Sequence, residues 1–179
     1  MTKEFTINKS QVESYKIRNR DGGFAWADIT IDESTGGGRI QIASDYGQWQ
    51  NYWGSCGTSF KKFLIGLDIH YAAGKFGTGN HFDHDATIKN LENRVDEYSE
   101  DYPDLKSVLL EELDLLRGAA YNMNEFEAQM WNCDNILEME GHQPDMIRCV
   151  EPGFKRFWDE IWSEFVEHLK EEIKEEINE

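Results

Sequence analysis

Hydrophobic and polar positions change their period part-way along the chain. Before about residue 53 they alternate, and beyond residue 85 they recur every three or four positions. Glu4-Phe5-Thr6-Ile7 predicts a short first strand, and Val12–Arg18, with Tyr15 and Ile17 among polar residues, a second. Asp21-Gly22-Gly23 is a turn signal, because glycine accepts a positive φ without steric cost. Phe24–Ile31 follows, with Phe24 and Trp26 on one face and Ala25, Ala27, Ile29 and Ile31 on the other. Asp32–Gly38 is expected to be a loop, and Arg39–Ser44 alternates again through Ile40 and Ile42. The sum is a meander of three or four antiparallel strands.

Asp45–Gly57 is dense in aromatics and glycine and predicts an extended segment entering a turn. Thr58 or Ser59 can cap a helix that carries Phe60, Phe63, Leu64 and Leu67 onto the sheet. Gly74–Asn80 is expected to be a flexible loop. After it, Ile88, Leu91, Val95 and Tyr98 mark one helix. Leu105, Leu109, Leu113 and Leu116 mark a second, with Pro103 and Asp104 in its first turn. Phe126, Met130, Cys133 and Leu137 mark a third, closed by Gly141 and Pro144. The last helix starts near Gly153, with Phe154, Trp158, Ile161, Phe165, Leu169, Ile173 and Ile177 as its stripe. That stripe closes either a core or a homodimer, and periodicity does not separate the two. The expected fold is α+β: a small antiparallel sheet with a packed helix over 1–80, then a helical region over 81–179, or one continuous domain.

Charge follows the same division. Residues 1–80 carry nine Lys/Arg against eight Asp/Glu, and residues 81–179 carry nine against 27. The whole net charge of −17 therefore comes from the second part. Such a surface repels nucleic acid and attracts basic surfaces. Aromatics make up 13% of the 179 residues, so the chain has apolar area enough to fold rather than form a disordered acidic tail. Cys56, Cys133 and Cys149 form neither a CxxC motif nor a disulfide-like set, which fits a reducing compartment. No stretch approaches the ~20 apolar residues of a membrane span, and Met1-Thr2-Lys3-Glu4 opens no signal-peptide run. The expectation is an intracellular, cytoplasmic protein.

The candidate chemistry is thin. His81 and His84, at i and i+3 beside Asp83 and Asp85, offer a pair of metal ligands without a third at recognisable spacing. A polar loop with Asp83 or Asp85 as helix cap is the simpler reading. Gly36-Gly37-Gly38 leads into a strand, and Gly77-Thr78-Gly79 into acidic residues, so neither fits a phosphate loop. Cys56 lies between Gly54 and Gly57 with no base placed near it by the sequence. Carboxylate pairs such as Glu111-Glu112 arise by chance in so acidic a chain. No catalytic residue, metal ligand or cofactor is assigned, and binding is the expected mode of action rather than catalysis.

Two binding features remain. Tyr46, Trp49 and Trp53 make the 46–53 segment either an interaction hot spot or the seam of the core. Glu92, Asp96, Glu97, Glu100, Asp101, Asp104, Glu111 and Glu112 place carboxylates along helices, imitating the phosphate spacing of a duplex, about one charge per 1.7 Å of axis. They would bind a basic nucleic-acid-binding protein.

The run Gly38–Gly47, ending in Ser44-Asp45-Tyr46-Gly47, then Tyr52-Trp53-Gly54 and Phe60-Lys61-Lys62-Phe63-Leu64, resembles small bacteriophage-encoded proteins of unassigned function. The resemblance covers about residues 38–75 and brings no catalytic residues with it. It implies a phage accessory gene expressed in a bacterial cytoplasm. Small acidic proteins of that kind include inhibitors of host defence, anti-CRISPR and anti-restriction proteins among them. It thereby implies a CRISPR–Cas effector or a similar host complex as the basic partner; the charge predicts no direct contact with nucleic acid, and the lack of an apolar span none with a membrane.

Overall fold

The computed structural model describes residues 4–7, 9–119 and 121–178. Four strands come first: β1 (Glu13–Ile17), β2 (Ala27–Ser34), β3 (Gly37–Ser44) and β4 (Gly47–Trp53). Helices α1 (Phe60–Ile65) and α2 (Ile69–Phe76) follow. Then come a two-residue strand β5 (His81–Phe82), α3 (His84–Asp101), a 3-10 turn (Pro103–Leu105), α4 (Lys106–Arg117), α5 (Met123–Met130) and α6 (Asp134–Met139). A second two-residue strand β6 (Arg148–Cys149) leads to α7 (Pro152–Phe157), a π-helical turn (Trp158–Trp162) and α8 (Ser163–Asn178). Contacts divide the chain into two units, one built from the residues up to Gly79 together with those from Val150 onward, the other from Asn80–Cys149.

The first unit is an antiparallel meander in the order β1-β2-β3-β4. Its register stacks Ile29 on Ile42 on Trp49 and Ile31 on Ile40, and these side chains are all buried. Cross-strand pairs of β-branched and aromatic residues are what hold such a sheet in register. The opposite face is polar, with Thr30, Gln41 and Gln50 in one row. On the apolar face lie α1, α7 and α8. Trp49 meets Phe154 and Phe157 with ring centroids 5.0 and 5.1 Å apart, and Phe165 and Leu169 continue the contact. The stripe of the last helix thus closes the core of its own unit. Those aromatics place residues 150–178 with the sheet, not with the helical region in which their charge put them. Ile177, at the far end of the stripe, is 73% exposed.

Several local expectations change. Residues 4–7 form no strand and are exposed. Phe24 and Trp26 lie outside β2, and of the expected core-facing set Ala27, Ile29 and Ile31 are buried while Ala25 packs only partly against the core. The Asp32–Gly38 loop shrinks to a tight turn at Thr35 and Gly36, where Gly36 takes a φ of +81°. Gly37 and Gly38 belong to β3, because a Cβ at Gly37 would meet the Trp53 carbonyl and one at Gly38 the Phe60 ring. Ser59 precedes α1 but makes no side-chain cap bond, and Glu33 of β2 accepts from Phe60 N–H at 2.9 Å instead. Gly74–Phe76 of the expected Gly74–Asn80 loop are the end of α2, an element the pattern did not predict. Asp68 caps it by accepting from His70 and Tyr71 N–H at 3.0 Å, and Gly77 in the left-handed region ends it.

The second unit packs α3–α6 around Leu91, Val95, Leu109, Leu113, Leu116, Phe126, Met130 and Ile136. Asp83 caps α3 through Ala86 N–H at 2.9 Å. The single helix expected from Phe126 to Leu137 is two helices, broken at Trp131–Cys133. The two ends of the unit meet, since β5 pairs with β6 through His81 opposite Cys149 and Phe82 opposite Arg148.

Candidate functional site: the acidic helical unit

Residues 80–149 hold five Lys/Arg and 17 Asp/Glu, a net charge of −12. Four of the five cations are already engaged. Arg117 binds Glu92 at 2.7 Å and also Asp114. Lys89 reaches Glu92 at 3.7 Å, Lys106 reaches Asp96 at 3.3 Å, and Arg94 reaches Glu140 at 2.9 Å. The Arg117 hydrogen bond holds the Glu92 carboxyl below the usual carboxylate range. Glu140 is the opposite case. Its side chain is fully buried, and burial pushes its pKa up although Arg94 offsets part of the shift.

The eight carboxylates singled out in the sequence therefore fall into three groups. Glu92 and Asp96 are tied to cations within the unit. Glu112 is half-buried and accepts from Asn135 N–H at 3.2 Å, from the Asn135 amide at 2.7 Å and from Ile136 N–H at 2.8 Å. It supplies the acceptor that lets α6 begin where Cys133 makes no side-chain cap bond. Glu97, Glu100, Asp101, Asp104 and Glu111 are exposed and make no ion pair with a described residue. Three of these five sit at the end of α3, which has no basic residue in its last turn. A helix C-terminus carries partial negative charge, so the carboxylates there oppose the helix dipole. Tyr98 and Tyr102 stack beside them, centroids 4.6 Å apart, and Tyr102 is half-exposed. The sequence marks Tyr98 as a stripe position, and the i, i+4 spacing to Tyr102 is the signal for the stack.

The histidines are not brought together into a metal centre. His84 is buried, its Nδ1 3.1 Å from Asp85 and its Nε2 3.4 Å from the Leu116 carbonyl oxygen, with the Tyr121 ring 4.3 Å away. His81 lies exposed in β5. Among the described residues no three His, Cys, Asp or Glu side chains converge as metal ligands would. Cys133 is buried, and its thiol is pushed up to about 11 by that burial and by Glu112 and Asp134. A thiol held that far above neutrality is a poor nucleophile.

In the other unit, Trp49 and Trp53 are core residues. Trp53 donates its indole N–H to the Tyr71 hydroxyl at 3.1 Å. Burial against Phe154, Phe157 and Phe60 removes both indoles from any contact surface. Tyr46 is half-buried, bonds Glu160 through its hydroxyl and lies under the Arg156 guanidinium at 5.1 Å. Of the 46–53 segment, Tyr52 is the aromatic most open to solvent.

Fold and charge together define a two-unit α+β protein whose sheet unit is interrupted by an acidic helical unit with joined ends. The chain belongs to the phage family Phage_phiTE_072, which it matches over residues 5–175. No curated protein and no solved structure matches it. Among the described residues no helix is long and apolar enough to cross a membrane.

Proposed function

We propose that this phage protein inhibits a host defence nucleoprotein complex in the bacterial cytoplasm, as anti-CRISPR proteins do. Its helical unit presents carboxylates to a basic nucleic-acid-binding surface of that complex and takes the place of the nucleic acid. The observation that carries this reading is the uncompensated end of α3. Glu97, Glu100 and Asp101, continued by Asp104, make no ion pair with a described residue, and the first three work against the helix dipole. Folding gains nothing from that arrangement, whereas a cationic partner would relieve it. With Asp96 paired to Lys106, the free charges Glu97, Glu100 and Asp101 span four residue rises of about 1.5 Å, one charge per ~3 Å, the same order as the ~1.7 Å of duplex DNA.

Two other readings have less support. A metal-dependent enzyme centred on His81 and His84 would need ligands that do not converge. An adaptor using the 46–53 segment would lose Trp49 and Trp53 to the core. The experiment is an affinity capture from host lysate across a salt series, with wild type beside a variant carrying Glu97, Glu100, Asp101 and Asp104 each changed to Lys. The expected result is a nucleic-acid-binding protein that is retained at low salt, is released as salt rises and is absent from the variant. Capture by the variant at wild-type level would overturn the reading.

A further inference from the structure

The sheet unit carries an interaction feature of a different kind. Between α7 and α8 the chain makes a π-helical turn over Trp158–Trp162. Such turns give up regular helical hydrogen bonding and recur at functional sites. This one stacks Trp158 on Trp162, centroids 5.0 Å apart and planes 19° apart. Trp162 is buried beneath, while Trp158 is half-buried. Ile65, Leu67 and Val166 are also only half-buried, and they converge with the two indoles on an open groove of about 440 Å³. Asp159, Ser163, Glu164 and Glu167 complete the lining, and no Lys or Arg takes part in it. Asp159 and Glu167 are offset by Lys155 and Lys170 at 2.6 Å, but Glu164 makes no ion pair with a described residue. An apolar floor with a partly accessible indole beside the Glu164 carboxylate is the chemistry that recognises a cation on an apolar stem.

We propose that this groove docks an arginine-bearing apolar segment of a protein partner. The partner's aliphatic side chain packs on Ile65, Leu67 and Val166. Its guanidinium lies over the accessible part of the Trp158 ring and beside the Glu164 carboxylate. Arginine suits the site better than lysine because its planar, weakly hydrated head stacks on an indole and pairs with a carboxylate at once. Charge complementarity selects the occupant. A nucleic-acid strand would be repelled by the rim, and a second copy of a chain with net charge −17 brings the wrong sign. The inference is independent of the acidic unit's role, since it concerns other residues in another unit.

The test follows the indole N–H resonances of the full-length protein during titration with a short peptide of alternating leucine and arginine. Saturable shifts of Trp158 and Trp162 are expected. They should be lost when glutamate replaces the arginines or serine the leucines. Glu164→Arg, an exposed change that leaves the core intact, should weaken binding roughly tenfold. Trp158→Leu should keep the apolar contact but remove the preference for the arginine peptide over its lysine counterpart. Three results would overturn the proposal. One is peptide binding seen only in resonances of residues 80–149, which would be general attraction to the acidic unit. Another is equal affinity in Glu164→Arg. The third is a concentration-dependent dimer abolished by Glu164→Arg, which would make the groove a contact between copies of this chain.

Discussion

At the residue scale, adjacent carboxylates do opposite things. Glu111 and Glu112 are indistinguishable in sequence, but neighbours on a helix differ in direction by about 100°. Glu111 points to solvent, and Glu112 reaches the open N-terminus of α6 and takes three hydrogen bonds there. Replacing Glu112 by Ala should therefore cost about 2 kcal/mol, while Glu111→Ala should stay within ~0.5 kcal/mol, measured by denaturant unfolding. A second prediction rests on Lys61, which lies among Glu13 at 2.8 Å, Glu172 at 3.2 Å and the Tyr15 hydroxyl network. Burial lowers the Lys61 pKa, but the bonds to Glu13 and Glu172 more than offset it, so it ends above its ordinary 10.5. Burial and the same two carboxylates raise Tyr15 above its ordinary 10.0. For both groups the folded state holds its proton more tightly than the unfolded chain. Their contribution is complete below the unfolded values and is lost as pH rises toward the folded ones. Stability should fall from about pH 10 upward, and Tyr15→Phe or Lys61→Met should flatten that decline in urea melts run across alkaline pH.

At the scale of elements, the end of α3 separates stability from binding. Changing Glu97 and Asp101 to Lys removes two charges that oppose the helix dipole and supplies two that favour it. Each change should raise stability by roughly 0.3–1 kcal/mol while weakening capture of the basic partner. If both changes destabilised the protein, the dipole argument would be wrong; if stability rose and capture were unaffected, the partner-binding role would fall instead. The strands and most helices of this chain were legible from period alone, because Ile29, Ile31, Ile40 and Ile42 alternate and Leu91, Leu109 and Leu113 recur at helical steps. What stayed hidden was set by contacts distant in sequence. The α5–α6 break depends on Glu112 arriving from α4, and the start of α1 depends on Glu33 arriving from β2. The tight β2–β3 turn depends on Trp53 and Phe60 crowding Gly37 and Gly38. Helix α2 was missed because Gly74 and Gly77 read as loop, although Asp68 caps it locally and Gly77 ends it.

At the scale of the molecule, the sequence hid one relation more than any other: chain order is not unit order. Charge grouped the last helix with the acidic helices, whereas its aromatic stripe fits it to the sheet. The acidic unit is thereby an interruption whose entry and exit both close on themselves. Inside the sheet unit, Glu151 N–H donates to the Thr78 carbonyl oxygen at 2.8 Å, so the two ends left by removing Asn80–Cys149 already lie side by side. Within the acidic unit, the β5–β6 pairing holds its own ends together in the same way. Among the described residues, each hydrophobic core is built from its own unit. A variant joining Gly79 to Val150 through a short Gly-Ser linker should therefore keep a folded sheet unit. It should unfold cooperatively, with the near-ultraviolet dichroism of Trp49, Trp53 and Trp162 retained, and it should elute as a compact species. Its net charge would fall from −17 to −5. Loss of cooperative unfolding would show that the sheet unit needs the helical one. If the variant folds and the carboxylates of residues 80–149 carry recognition, it should no longer capture the basic partner, while the Trp158 groove should still bind the arginine peptide. One deletion thus reads the two surfaces apart, because each belongs to a unit that keeps its own core.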